Sequence, residues 1–98
     1  MLLKFVKDIT KSGQDGISLI CNSKGNEEIE LTISRTAFSV VGIGNDSNEG
    51  IVNRMNVYLS NYFMQIDDDE KLKSIDITSA QIVIITDREK RTIYLGLK

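Results

Sequence analysis

Histidine, proline and tryptophan are all missing from these 98 residues, and cysteine occurs once. Without histidine there is no imidazole base, no Ser-His-Asp or Cys-His arrangement, and no His-containing metal site. A lone thiol, Cys21, can form neither an intramolecular disulfide nor a multi-thiolate zinc site, so the chain carries no stapled secretory framework. Twelve Lys and Arg against fourteen Asp and Glu leave a net charge of -2, which supplies no basic excess for gripping phosphates. No apolar run approaches the roughly 18 residues of a membrane helix. Lys4 and Lys7 interrupt the N-terminal apolar residues too early for a signal peptide. The expectation is a cytoplasmic protein with no membrane partner and no cofactor. The glycosylation pattern at Asn45-Asp46-Ser47 then has no meaning.

What is present leans toward strands. Fourteen Ile, six Val and six Thr outnumber two Ala, and β-branched side chains suit a pleated surface. A chain of this length is expected to form a single domain over 1–98. Leu2 to Ile9 reads as a first strand, closed by a turn over 11–16 with Gly13 and Gly16. Ile17 to Asn22 follows, with Ile17, Leu19 and Cys21 on one face, and Ser23-Lys24-Gly25-Asn26 makes the next turn. Glu28 to Ser34 alternates polar and apolar residues without a fault, so one face is wet and the other buried. A fourth strand is expected over Ala37 to Ile43, either separate from the third or continuing it past a bend.

A polar loop over 44–50 leads into a helix, with Asp46 and Glu49 spaced as a capping box. Ile51, Val52, Met55, Tyr58, Leu59, Tyr62, Phe63 and Ile66 recur at three- and four-residue steps, which predicts a core-facing stripe running to about Ile66. The acids Asp67 to Glu70 suit the N-terminus of a short second helix reaching Leu72. A hairpin over 81–87 and 91–97 closes the chain. Its Ile82-Val83-Ile84-Ile85 run is apolar on both faces, as in a central strand covered on each side or lying against a partner chain. The predicted fold is α+β: a small two-layer domain in the order β-β-β-(β)-α-β-β, with an antiparallel sheet of five or six strands and one long helix packed on a face.

Several residue groups have the chemistry of a site. Val41-Gly42-Ile43-Gly44 has the glycines of a nucleotide-binding turn, but no third glycine at the required spacing and no Lys-Ser/Thr pair; it is read as a structural loop. Asp67, Asp68, Asp69 and Glu70, with Asp76 nearby, carry carboxylates for a hard cation without the spacing of a calcium loop, so no metal site is assigned. The same acids could meet a basic protein surface. Cys21 has no activating neighbour. Glu28 and Glu30 share an exposed strand face and read as solubilising charge. Arg88, Lys90 and Arg91 form a small basic turn interleaved with Asp87 and Glu89.

The most informative segment is the outer side of the long helix. Asn53, Asn56, Val57, Ser60, Asn61, Met64 and Gln65 lie opposite the core stripe, and only Glu49 and Arg54 are charged within the helix. Charge depletion with an occasional Val or Met is the composition of a contact surface. The preferred expectation is therefore a non-enzymatic protein-interaction module, such as a small phage or mobile-element inhibitor that binds and occludes a host protein, with a homodimer also in view. Its partner-binding residues are Asn53, Asn56, Val57, Ser60, Asn61, Met64, Asp67, Asp68 and Asp69. The alternative is nucleic-acid binding through the sheet and the 88–91 turn, and a third is a carboxylate- and metal-dependent enzyme.

Overall fold

The computed structural model describes residues 3–7, 16–23, 27–44, 46–67 and 69–95, with the backbone alone at 5–7. Strands β1 (Lys4–Lys7), β2 (Gly16–Asn22) and β3 (Glu28–Ser34) precede a 3-10 turn (Arg35–Ala37), a short helix α1 (Phe38–Val41) and the long helix α2 (Asn48–Phe63). Strands β4 (Leu72–Ile77), β5 (Gln81–Thr86) and β6 (Lys90–Tyr94) follow. All six strands join one sheet in sequence order. The α+β, mostly antiparallel architecture expected from composition is present. Residues 1–2, 8–15, 24–26, 45, 68 and 96–98 lie outside the described residues, and with them the expected turns over 11–15 and 24–26 and the outer ends of the first and last expected strands.

One pairing is not antiparallel. β3 and β4 run parallel, with Leu31 opposite Ile75 and Ile33 opposite Ile77. Parallel neighbours need a crossover of a dozen residues or more, and α1 and α2 are that crossover. Both helices therefore fall on one side of the sheet, and the side chains beneath them form the core: Leu19 and Cys21, Ile29, Leu31 and Ile33, Ile75 and Ile77, Ile82 and Ile84 are buried. The alternation foreseen for β3 matches its observed bounds and its burial residue by residue up to Ile33. Helix α2 contributes Ile51, Val52, Met55, Leu59 and Phe63, with Tyr58 and Tyr62 packed at the margin. Ile66 is buried just beyond its end.

Two expected elements are corrected. The fourth strand over 37–43 is helical instead. Ala37 and Val41 reach the core at a four-residue step, and Gly42, in the left-handed region at φ 79°, ends α1 by donating its N–H to the Phe38 carbonyl. The short helix from Asp67 to Leu72 is a turn followed by β4, where Leu72, Ile75 and Ile77 are buried against the neighbouring strands. The cap of α2 also differs: Ser47, not Asp46, accepts from the Gly50 N–H at 3.1 Å, while Asp46 accepts from Gly44 N–H. At the start of β2 Gly16 has φ 135°, and a Cβ there would stand 2.1 Å from the Ile33 carbonyl oxygen. Only glycine starts β2 at that distance.

β5 is not a doubly covered central strand. It lies next to the edge strand β6, with Ile82 and Ile84 in the core and Val83 and Ile85 on the helix-free face, where Ile85 is 38% exposed.

Candidate functional site

The residues expected to make a contact surface divide into two regions with different surroundings. The first is the outer side of α2. Asn53, Val57, Ser60, Asn61 and Met64 are all exposed, and their steps of four, three, one and three residues keep them on one stripe. Val57 is 71% and Met64 85% exposed, both apolar side chains standing in water. The Ser60 hydroxyl donates to the Val57 carbonyl one turn back. Glu49 lies in the first turn, away from the stripe's C-terminal half, and Arg54 lies to its side with its guanidinium against Gly42.

Asn56 belongs to this group by sequence and not by structure. It is half-buried, and its side-chain amide reads the backbone of Leu3 from both sides: Nδ2 donates to the Leu3 carbonyl at 2.8 Å, and the Leu3 N–H donates to Oδ1 at 2.8 Å. The amide thus acts as one more strand residue laid against the start of β1. It holds the N-terminal edge to α2 instead of facing a partner.

The second region is the acidic turn with the last hairpin tip. Sequence separates these segments by about twenty residues, and the fold brings them together. Glu70 is the centre, with a side chain only 1% exposed. Arg91 grips its carboxylate bidentately, at 2.7 Å to Oε2 and 3.0 Å to Oε1. The Thr86 hydroxyl donates to Oε2 at 2.6 Å and the Asp67 N–H to Oε1 at 3.1 Å. A buried carboxylate with this many donors is stabilised as the anion. The Arg91 hydrogen bonds, followed by that of Thr86, hold the Glu70 pKa down to about 2. Arg88 bridges Asp67 and Asp69 at the surface, and Arg91 also reaches Glu89. The turn that carries these groups is built by Thr86, whose N–H donates to the Glu89 carbonyl and whose hydroxyl oxygen accepts from the N–H groups of Arg88 and Glu89. Thr78 makes a second turn of the same design, accepting from Ala80 and Gln81.

This arrangement bears on three of the groups singled out by sequence. Asp67 and Asp69 share Arg88, so part of the acidic turn's charge is offset within the chain; Asp68 lies outside the described residues. Arg88 and Arg91 are engaged with carboxylates of their own chain. Among the described residues, no group of three or more Asp, Glu or Cys side chains is placed to hold a metal ion. Cys21 is fully buried, and that burial pushes its thiol up to about 11, well away from a reactive thiolate. Glu30 accepts a hydrogen bond from Ser18 on the helix-free face. No helix among the described residues is long and apolar enough to cross a membrane.

Sequence reasoning overlooked the Glu70–Arg91–Thr86 network. The signal available was Thr followed by a polar three-residue turn at both 78–81 and 86–89, which marks the hairpins; nothing local connects Glu70 to Arg91. Comparison with protein-family models, curated proteins and solved structures finds no match for this chain.

Proposed function

We propose that this chain is a non-enzymatic interaction module that docks the outer stripe of α2 onto another protein and acts by covering part of that partner's surface. One observation carries the reading: Val57 and Met64 stand exposed, two turns apart, on the C-terminal half of the helix's outer side, where no residue is charged. Burying two such side chains against a partner stabilises the complex, and the Asn and Ser between them can exchange hydrogen bonds without the desolvation cost of a Lys or Glu. A cytoplasmic inhibitor or accessory factor of the kind made by phages and mobile elements fits this small size and this mode of action. The site is Asn53, Val57, Ser60, Asn61 and Met64, flanked by the acidic turn at Asp67 and Asp69.

The nucleic-acid reading draws little support from the geometry, because Arg88 and Arg91 hold carboxylates of the same chain, which leaves Lys90 as the outward cation of the basic turn. The deciding experiment is affinity capture with the wild-type chain and with the Val57→Glu, Met64→Glu double variant, before and after nuclease treatment. A stoichiometric protein captured by the wild type, resistant to nuclease and lost with the variant, is the expected result. Capture that ignores the double variant would remove α2 from the proposal.

A further inference from the structure

The sheet has two edges, and they are treated differently. β1 has four residues, a register break between Phe5 and Lys7, and the Asn56 amide closing its first backbone groups. Bulges, short length and side-chain caps are the usual means of blocking strand addition. β6, only one residue longer and carrying Lys90, keeps an unbroken register with β5, and among the described residues it has no bulge and no side-chain cap on its outer edge.

The pairing parity shows what β6 offers. The Leu95 N–H donates to the Ala80 carbonyl, and the Thr86 N–H to the Glu89 carbonyl. Odd-numbered residues of β6 therefore turn their backbone groups toward β5, and Lys90, Thr92 and Tyr94 turn theirs outward. Their side chains share the helix-free face, beside Ile85 and Val83. The charge most hostile to pairing, Arg91, is already held on the opposite face by Glu70 and Glu89.

We infer that β6 is a self-complementary edge that pairs antiparallel with β6 of a second copy of this chain, on a two-fold axis at Thr92. In that register Thr92 faces its own copy, and Lys90 of each chain faces Tyr94 of the other. All three pairs are of the hydrogen-bonded kind. Tyr94 is 74% exposed, and a Lys ammonium placed over its ring replaces water by a cation–π contact. Threonine pairs across antiparallel strands are favourable as well. Arg91 falls opposite Ile93 of the copy, whose half-buried side chain extends the core across the junction. The result is a continuous twelve-stranded sheet with the helices of both copies on one face. The surface is separate from the α2 stripe, so either can fail alone.

The test uses the full chain. Sedimentation equilibrium across a concentration series should show the mass rising from the 11.0 kDa of the monomer to twice that value. Thr92→Lys sets two ammonium groups face to face on the axis and should weaken association by about tenfold or more. Its circular dichroism should stay native, because Thr92 supports no contact of the monomer's core. Thr92→Cys should crosslink to itself under a mild oxidant, the paired Cα atoms being about 5.5 Å apart. Lys90→Cys and Tyr94→Cys should each fail alone, since like residues lie about 13 Å apart along the strands, and should crosslink when mixed. A chain that stays monomeric to about 1 mM, a dimer indifferent to Thr92→Lys, or self-crosslinking of Lys90→Cys overturns the inference. Val57→Glu should leave the dimer unchanged, which separates this outcome from failure of the α2 proposal.

Discussion

The hairpin tip and the outer face of α2 are opposites in charge and in how far their side chains are engaged within the chain. At the tip, Asp67, Asp69, Glu70, Arg88, Glu89 and Arg91 interlock, so that charge is consumed in holding the α2–β4 turn to the end of the sheet. On α2, from Val57 to Met64, there is no charge at all, and Val57 and Met64 touch little but water. A dense group of charged residues in sequence is therefore a weak sign of a binding site. Charges of both signs find one another once the chain folds, whereas Val57 and Met64 stay exposed in the folded chain.

The contrast can be broken from either side, and the largest effect is expected at Glu70. Glu70→Ala removes the acceptor for Arg91, Thr86 and the Asp67 N–H together and leaves the Arg91 guanidinium mostly buried beside Glu89 alone. Urea denaturation should show a larger loss of stability for Glu70→Ala than for Asn56→Ala, Arg88→Ala or Val57→Glu, and Arg91→Ala should add little once Glu70 is gone. Acid provides a second probe of the same group. The folded pKa of Glu70, about 2, lies below its ordinary value of 4.5, so its contribution is present in full above pH 4.5 and is lost as the pH falls toward 2. The stability of Glu70→Ala should therefore be less dependent on pH across that window than that of the wild type.

Asn56→Ala comes next, at about 2 kcal/mol, because two hydrogen bonds to Leu3 disappear and its buried backbone groups lose their partner. Amide exchange should accelerate at residues 3–7 well before it does in β3 or β4. If Asn56→Ala proves neutral while weakening capture of a partner, Asn56 would return to the contact surface. Arg88→Ala should change stability only slightly, since its pairs with Asp67 and Asp69 lie in water and are screened by salt. The smallest effect on folding belongs to Val57→Glu and Met64→Glu, within about 0.5 kcal/mol each. These same two substitutions are expected to abolish partner capture, which is the comparison in its sharpest form.

Local pattern was enough for some elements. The strict alternation of Glu28 to Ser34 and the three- and four-residue steps from Ile51 to Ile66 each specify an element and its buried side, because each is long enough for one period to dominate. Ala37 to Ile43 failed this test for a physical reason. The segment is rich in β-branched residues, but its buried pair Ala37 and Val41 is helical in spacing and Gly42 supplies a left-handed stop, two signals too short to outweigh propensity. The acids at 67–70 misled in the same way. They suit a helix start, yet Leu72, Ile75 and Ile77 gain more by completing the sheet beside Ile33 than a single helical turn could gain.

By itself the sequence determined the α+β class, the burial of β3, the core stripe of α2 and its neutral outer face, since all of these follow from composition and from periods of two and 3.6 residues. Only the tertiary structure decided that β3 and β4 are parallel neighbours, that Asn56 serves Leu3 from 53 positions away, and that Glu70 answers Arg91 from 21 positions away. Such pairings depend on which elements the crossover brings side by side, and a one-dimensional pattern carries no record of that choice.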